Sequence, residues 1–370
     1  MSRSKEIVTE LLTDAGIQVN GNNPCDIKVH NDKFYDRALS LKNLGMGEAY
    51  MEGWWDCERL DQFVGRLLSA GLVEKVRGSW KLFLPVLKAL VFNLQSLGRS
   101  RIIAERHYNL DNDLFFSFLD PYNQYSCAYF KKTEDLKQAQ LNKMDLIIGK
   151  LQLGPSDHVL DIGFGWGGLA RYMAEKVGCH VTGANVANEQ INYARESLKH
   201  LPIDIVNCDF REIKGKFDKI VSVGMFEHVG YKNYRTFMQV VDRSLKNDGV
   251  FLLHTIGSNS SQINTDNWIN KYIFPNGMLP NIAQIAQSAE GMFMIEDLHN
   301  LGPHYDKTLM AWNSNFQNSW SELSKRYDNR FKRMWEYYLL SCAGAFRSRY
   351  NQLWQIVFTK HGCSQPQCRI

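Results

Sequence analysis

The stretch Val159-Leu160-Asp161-Ile162-Gly163-Phe164-Gly165-Trp166-Gly167-Gly168-Leu169-Ala170 reads as an apolar strand, an acid, a glycine-rich turn and the start of a helix. Glycine permits tight turning and close approach of a ligand to the backbone. The helix N-terminus then presents N–H groups to that ligand. Gly163, Gly165 and Gly168 fit the dinucleotide fingerprint G-x-G-x-x-G. Asp161 argues against it, because phosphate beside a carboxylate is repelled. A carboxylate there suits a cationic, phosphate-free ligand such as S-adenosylmethionine, whose ammonium and sulfonium groups are positive. The acid expected about 20 residues further on for an NAD ribose has no clear counterpart, since the strand Cys179–Ala184 runs into Asn185. Taken alone, the stretch leaves both cofactors open, with Asp161 favouring S-adenosylmethionine.

Around it, strands and helices alternate. Strands are expected at Val159–Ile162, His180–Asn185, Ile203–Cys208, Phe217–Val223 and, after a turn at Asp248-Gly249, Val250–Thr255. Helices are expected at Leu169–Val177, Asn188–Leu198 and Tyr231–Leu245. This α/β alternation implies a parallel sheet with right-handed crossovers and a ligand crevice at the carboxyl ends of the strands. Upstream, Leu136–Leu151 reads as an amphipathic helix with Leu141, Met144, Ile147 and Ile148 on one side. Residues 257–310 have few periodicities and several turn residues, as an insertion over the strand ends would. Trp320–Leu340 reads as a helix and Gln352–Thr359 as a last strand.

Residues 1–100 read as mostly helical: Lys5–Asp14, a helix capped by Asp32 and running through Leu41, Glu48–Glu52, and Leu60–Leu72. Gly45 and Gly47 read as chain breaks. Residues 75–101 carry Lys75, Arg77, Lys81, Lys88, Arg99 and Arg101 among aromatic and aliphatic residues, with no acid between them. Two readings fit: a membrane-surface contact, or a core helix with solvated lysines, kinked at Pro85. From about residue 102 the texture changes, and His107–Phe118 reads as helical.

With 370 residues and 44% apolar content, the chain can build a full core and two domains. A net charge of +4 is too weak to argue for nucleic-acid binding. Aromatic residues at 12% suit a bulky apolar ligand cavity or a dense core. The eight cysteines form no C-x-x-C pair, which fits a reducing cytosol better than zinc or disulfides. The stretch Met1–Thr13 does not read as a signal peptide, and no window of apolar residues suits a membrane-spanning helix.

Glu227 and His254 follow the ends of consecutive strands, where a carboxylate and an imidazole can bind a polar group or move a proton. His228 lies beside them. Asp209 and Phe210 follow the third strand, where an adenine could meet a carboxylate and an aromatic face, and Asn185 and Gln190 are candidates for ribose hydroxyls. Cys342 sits among small residues with no base beside it and reads as a buried structural thiol.

Several blocks then match one family: Leu44–Cys57 (LGMGEAYMEGWWDC), Gln124–Phe130 (QYSCAYF), Val159–Ala170, Ser222–Gly230 (SVGMFEHVG), Leu252–Gly257 (LLHTIG), Trp268–Gly277 (WINKYIFPNG) and Cys342–Arg347 (CAGAFR). The chain resembles the bacterial cyclopropane-fatty-acyl-phospholipid synthases, which are related to the mycolic acid cyclopropane synthases. The resemblance spans about residues 10–360. It implies a class I S-adenosylmethionine methyltransferase fold, Rossmann-like, with a mostly parallel seven-stranded sheet and a smaller, mostly helical N-terminal domain. Residues 1–100 would form the lipid-binding and dimerisation domain, and 101–370 the catalytic domain, with the insertion at about 257–340 shaping an acyl pocket.

The activity it implies is transfer of a methylene from S-adenosylmethionine to the cis double bond of an unsaturated phospholipid acyl chain. A methyl is delivered, a carbocation forms, and loss of a methyl proton closes the ring. Placement against the sulfonium carbon and a dry tunnel would then carry catalysis. The family holds bicarbonate as proton acceptor. By motif its holders would be Cys127 and Ile256 through backbone groups, and Glu227, His254 and Tyr305 through side chains. Cys342 matches the position traditionally marked as the active-site cysteine. The cofactor would contact Tyr125, Ser126, Asp161, Gly163, Gly165, Gly167, Asn185, Gln190, Asp209 and Phe210. No metal and no nucleic acid are implied. The resemblance further implies a homodimer, cytoplasmic and peripherally associated with the inner membrane, and it tilts residues 75–101 toward membrane contact.

The chain departs from the family pattern at four places. Phe164 replaces a usual cysteine and needs a pocket for its ring, expected beside the methionine moiety. Asp111 replaces a usual glycine and would be strained at positive φ. Asn109 replaces an aspartate, and Asn185 replaces a threonine. Two other readings follow: a lipid C-methyltransferase without ring closure, and a weakened membrane-binding homologue.

Overall fold

A computed structural model describes residues 2–71, 111–260 and 265–370. The basic stretch 75–101 and Asn109 lie outside the described residues. The described chain divides into two compact units. One comprises residues 2–71, 265–275 and 305–351; the other comprises 111–260, 276–304 and 352–370. The first unit therefore includes two segments that a cut at residue 100 assigns to the catalytic domain.

In the first unit, the helix Arg3–Asp14 is capped by Ser2, whose hydroxyl accepts from the Lys5 N–H. Asp32 makes no such bond to the following helix, Lys33–Leu41. Its carboxylate is turned to Lys5 instead, 3.1 Å from Nζ. Gly45 and Gly47 do not break the chain; the helix Asn43–Met51 runs through both. A glycine inside a helix costs about 1 kcal/mol relative to alanine, and here it permits contact. A Cβ on Gly45 would lie 2.2 Å from the Arg37 carbonyl oxygen, and one on Gly47 would lie 2.4 Å from the Trp268 indole. Glu48 joins the same partners, accepting from Lys271 (2.5 Å), the Tyr272 hydroxyl (2.8 Å) and Arg37 (2.7 Å). These bonds tie 265–275 to the N-terminal helices. The expected helix Trp320–Leu340 is two helices, Trp320–Leu323 and Asn329–Arg347, the second capped by Asp328 on the Phe331 N–H at 2.7 Å. A two-residue ladder, β1 (Lys28–Val29) with β2 (Trp55–Asp56), completes the unit.

The second unit is built on a seven-stranded sheet in the order β5-β4-β3-β6-β7-β9-β8. Its strands are β3 (His158–Ile162), β4 (His180–Asn185), β5 (Ile203–Asn207), β6 (Phe217–Val223), β7 (Leu245–Ser258), β8 (Phe293–Asn300) and β9 (Asn351–Lys360). The pairs β3–β4, β3–β6, β4–β5 and β6–β7 are parallel, and β8–β9 is antiparallel. The order reverses at β3, so the crevice lies at the carboxyl ends of β3, β4 and β6. Val159, Val221, Leu252 and Val357 pack with the helices Leu136–Leu151 and Gly168–Val177, while Leu160, Ile220, Phe251 and Phe358 pack with Phe237 and Val241 of the helix Tyr234–Ser244.

Three differences from the sequence reading stand out. Asp248-Gly249 is not a separate turn: β7 begins at Leu245, and the register shifts between Phe217↔Leu245 and Lys219↔Val250. The strand β8 had no signal because it is an edge strand of inverted pattern. Phe293 and Asp297 are buried while Met294, Ile295 and Leu298 are exposed. Asp111 has φ −50°, outside the left-handed region, so the strain expected of it is absent.

Candidate active site

The loop after β3 has the backbone its glycines suggest, with φ of +83° at Gly163, +58° at Gly165 and +84° at Gly167. A Cβ on Gly163 would lie 2.7 Å from the Met225 side chain. The helix Gly168–Val177 starts there. One on Gly168 would lie 1.7 Å from the Tyr122 carbonyl oxygen, so the 120–126 segment is pressed against the helix start.

Asp161 is buried under this loop, and its Oδ2 has no hydrogen-bond partner. Burial pushes its carboxyl up to about 7, with the Lys143 cation pulling the other way. A buried carboxylate oxygen without a partner is costly, and a cationic group in the crevice would satisfy it. The sheet ends beside the loop carry the other expected cofactor residues. Asn185 reaches Gln190 (2.9 Å) and the Gly165 carbonyl (3.3 Å), so the β4 end braces the glycine loop. Asp209 forms a capping box with Glu212 and holds Arg211 at 3.1 Å. The Phe210 ring is buried against Phe237, with Arg211 over it. Tyr125 packs edge-on to Phe115, and the Ser126 hydroxyl faces Lys143 at 2.9 Å.

Phe164 finds its space away from the crevice. The ring packs against Ile191, Ala194 and Leu198 of the neighbouring helix and strand layer. It lies over Gly183 on β4, where a Cβ would come within 2.8 Å of the ring. The missing side chain at Gly183 is what accommodates the phenyl group.

The second cluster forms past the end of β6, beside the His254–Ile256 part of β7. Glu227 sits in the short 3-10 turn Phe226–His228 after β6. Its Oε1 accepts the Ile256 N–H at 2.6 Å, while its Oε2 has no partner. Burial raises this carboxyl to about 7, and the Ile256 N–H and the Thr255 hydroxyl work against the rise. His254 lies opposite Val223 in the β6–β7 register, two residues before Ile256 and so on the same face of β7. Its Nδ1 is 3.2 Å from the Gln355 amide nitrogen, and its Nε2 has no partner. Burial, with smaller contributions from Lys143 and Lys150, holds this imidazole neutral, well below its usual range. A Gln355 amide donating to Nδ1 would put the ring's proton on Nε2. The adjacent His228 is also pushed down by burial, to about 4. Cys127 is buried in the same unit, its Sγ 3.2 Å from the Ala128 carbonyl and 3.9 Å from that of Leu301.

Glu227, His254, Ile256, Cys127 and every expected cofactor residue thus belong to the second unit, whereas Tyr305 and Cys342 belong to the first. Tyr305 packs on Phe346, with ring centroids 4.7 Å apart. The Cys342 thiol is pushed up to about 12 by burial and by the Asp266 carboxylate, so it stays protonated and is a poor nucleophile.

The sequence reading missed three polar residues beneath the cofactor loop: Lys143 and Gln140 on the buried face of Leu136–Leu151, and Gln124, which Lys143 holds at 2.6 Å. The signal was present. Gln140 and Lys143 interrupt an otherwise apolar stripe at positions spaced like Met144, Ile147 and Leu151.

Residues 95–356 match the family described as mycolic acid cyclopropane synthetase. The chain belongs to this family. It is 52% identical over 354 residues to the cyclopropane-fatty-acyl-phospholipid synthase of Escherichia coli K12, covering 96% of this chain and 93% of that protein. Among solved structures it is similar to the cyclopropane synthase MmaA2 from Mycobacterium tuberculosis, with a TM-score of 0.66 and 31% identity over 70% of this chain and 98% of that one. It is also similar to mycolic acid cyclopropane synthase CmaA1 complexed with SAH and CTAB, with a TM-score of 0.65 and 32% identity over 70% and 98% of the two chains. The sheet is therefore that of a class I methyltransferase, as expected from the resemblance, and this member of the cyclopropane synthetase family is a methyltransferase. The dinucleotide reading of the glycine loop falls away.

Proposed function

We propose that the chain converts the cis double bond of an unsaturated phospholipid acyl chain into a cyclopropane ring, with bicarbonate held at the Glu227–His254 cluster. The observation that carries this reading is that pair: two buried, unpartnered polar atoms, Glu227 Oε2 in the turn after β6 and His254 Nε2 on β7 opposite the last residue of β6. The relatives' names supply the lipid and the ring.

The orphaned Asp161 carboxylate and the left-handed glycine loop fit S-adenosylmethionine. Asp161 would receive its ammonium group, Asn185 and Gln190 its ribose hydroxyls, and Asp209 and Phe210 its adenine. Tyr125, Ser126, Gly163, Gly165 and Gly167 would line its methionine portion. When bound, it supplies an electrophilic methyl group. An alkene is a weak nucleophile, so the protein's contribution is to hold the double bond in line with that methyl and to keep water out.

Bicarbonate fits the second cluster because the two free atoms are complementary to it. His254 Nε2–H would donate to one of its oxygens, and Glu227 Oε2 would accept from its hydroxyl. The anion, when held, supplies the base that removes the methyl proton. A neutral imidazole donates without adding a positive charge that would lower the basicity of the held anion. Cys127 and Ile256 through their backbones, and Tyr305 through its hydroxyl, are the proposed further holders. Cys342 is not given a step, because its thiol stays protonated. Residues 1–100 are the proposed lipid-docking and dimer-forming part. Attachment to the bilayer is proposed as peripheral, from the cytoplasmic side; among the described residues no helix is long and apolar enough to cross a membrane.

The test is methyl transfer from labelled S-adenosylmethionine to vesicles of cis-monoenoic phospholipid, with bicarbonate depleted and restored. Activity that falls on depletion and returns on restoration supports the bicarbonate site, and activity indifferent to bicarbonate removes it.

A further inference from the structure

Lys143 is fully buried on the helix Leu136–Leu151. Its ammonium contacts two neutral acceptors, Gln124 Oε1 at 2.6 Å and the Ser126 hydroxyl at 2.9 Å. Gln140, one turn earlier, donates to the Ser126 carbonyl at 2.9 Å and the Gln124 carbonyl at 3.3 Å. Two polar residues of a buried helix face thus grip one three-residue segment, which carries Tyr125 and Ser126. Asp120 secures the segment from the other end, accepting from the N–H groups of Tyr122 (2.9 Å) and Gln124 (2.8 Å).

Burying an ammonium among neutral acceptors is expensive. The charge is offset by Asp120 and by Asp161 on the neighbouring strand, whose Oδ2 is unpartnered. The charged and titratable groups acting on Lys143 are Asp120 and Cys127 from the 120–127 segment and Asp161 from β3. His254 on β7 feels the Lys143 charge in turn. Burial pushes Lys143 down to about 8 and Asp161 up to about 7, and each opposes the other's shift.

We propose that Lys143 is a positioning residue of the cofactor site, which clamps the 124–126 segment from below and supplies the positive charge that keeps Asp161 ionised to receive the cofactor's ammonium group. This rests on the assignment of Asp161 to S-adenosylmethionine. When the cofactor binds, its own cation joins Lys143 in stabilising the Asp161 carboxylate. Lys143 itself touches neither the cofactor nor the reacting atoms.

The experiment is calorimetric titration of S-adenosylhomocysteine into the full chain, its Lys143→Met variant and its Asp161→Asn variant, from about pH 6.5 to about pH 9. Without the Lys143 cation the Asp161 carboxyl rises further, so Lys143→Met is expected to weaken binding by at least about fivefold near neutral pH, with the gap narrowing as pH rises. A purely structural loss would weaken binding by the same factor at every pH. That result, or unchanged binding, overturns the proposal. If Asp161→Asn leaves binding unchanged, the cofactor assignment itself fails; if it weakens binding and Lys143→Met does not, only the role of Lys143 fails. Should far-ultraviolet circular dichroism show Lys143→Met unfolded, the unmodified chain is titrated in buffers of differing ionisation enthalpy. Proton release on binding, growing toward mildly acid pH, is then expected, and binding without proton exchange contradicts the proposal.

Discussion

Glu227 Oε1 accepts the Ile256 N–H at 2.6 Å, and Oε2 is left buried and unpartnered. His254, two residues from Ile256 on the same strand, leaves Nε2 in the same state. The strand ends thereby present an acceptor and a donor.

Replacing Glu227 with Gln removes the acceptor and leaves the shape. Turnover is expected to fall by about 100-fold or more, the usual scale for losing a group that positions proton transfer, while binding of S-adenosylhomocysteine stays near its original strength. The pH profile gives a second readout. The Glu227 carboxyl is raised to about 7, so its charged form disappears as pH falls through that value. Activity of the unmodified chain should decline on the acid side with a midpoint near neutrality. Unchanged turnover in Glu227→Gln removes Glu227 from the site.

Cys342 carries a thiol pushed up to about 12. Cys342→Ser is expected to keep turnover within a few-fold of the original, measured with the same transfer assay. Loss of all activity in a variant that still folds would return the cysteine to the chemistry.

The Phe164–Gly183 contact predicts a stability coupling. Gly183→Ala places a methyl within 2.8 Å of the ring, which is expected to cost about 1–3 kcal/mol by overpacking. Phe164→Cys alone leaves a cavity, at a cost of about 2–4 kcal/mol. Together the two changes should cost less than their sum. Denaturant unfolding of the four chains measures this, and strict additivity contradicts the contact.

Glu48 ties Lys271, Tyr272 and Arg37 together. Burial alone would raise its carboxyl, but these bonds outweigh it and hold the group down at about 2. Because the folded value lies below the ordinary 4.5, the stabilisation is fully present above 4.5 and is lost as pH falls toward about 2. Glu48→Gln should lower the thermal midpoint at neutral pH, by a change worth about 2–4 kcal/mol. The difference from the unmodified chain should shrink in acid. An equal difference at every pH would mean that charge plays no part.

The sheet was legible because its strands are apolar runs fenced by turns and helices. His180–Asn185 and Phe217–Val223 have the bounds their residues suggest. The edge strand Phe293–Asn300 escaped because its apolar side chains face outward. Gly45 and Gly47 misled for a related reason: the feature that keeps them in a helix is Arg37 and Trp268 pressing on it, and no local pattern shows a distant partner. Residues 265–275 and 305–351 grouped with the N-terminal helices for the same cause. At the site, Asp161, Glu227 and His254 were readable from their places at strand ends. Lys143 was readable only from its spacing with Met144, Ile147 and Leu151, and was passed over because a lysine within an amphipathic helix ordinarily marks the solvated face.

The most direct measurement of the central claim is the mass and double-bond content of acyl chains recovered after the purified chain has acted on cis-monoenoic phospholipid vesicles with S-adenosylmethionine and bicarbonate. The account predicts a gain of one CH2 with loss of the alkene. A product that keeps its double bond, or that gains a methyl together with a hydroxyl, would contradict ring closure, and recovery of unmodified acyl chains would contradict the activity altogether.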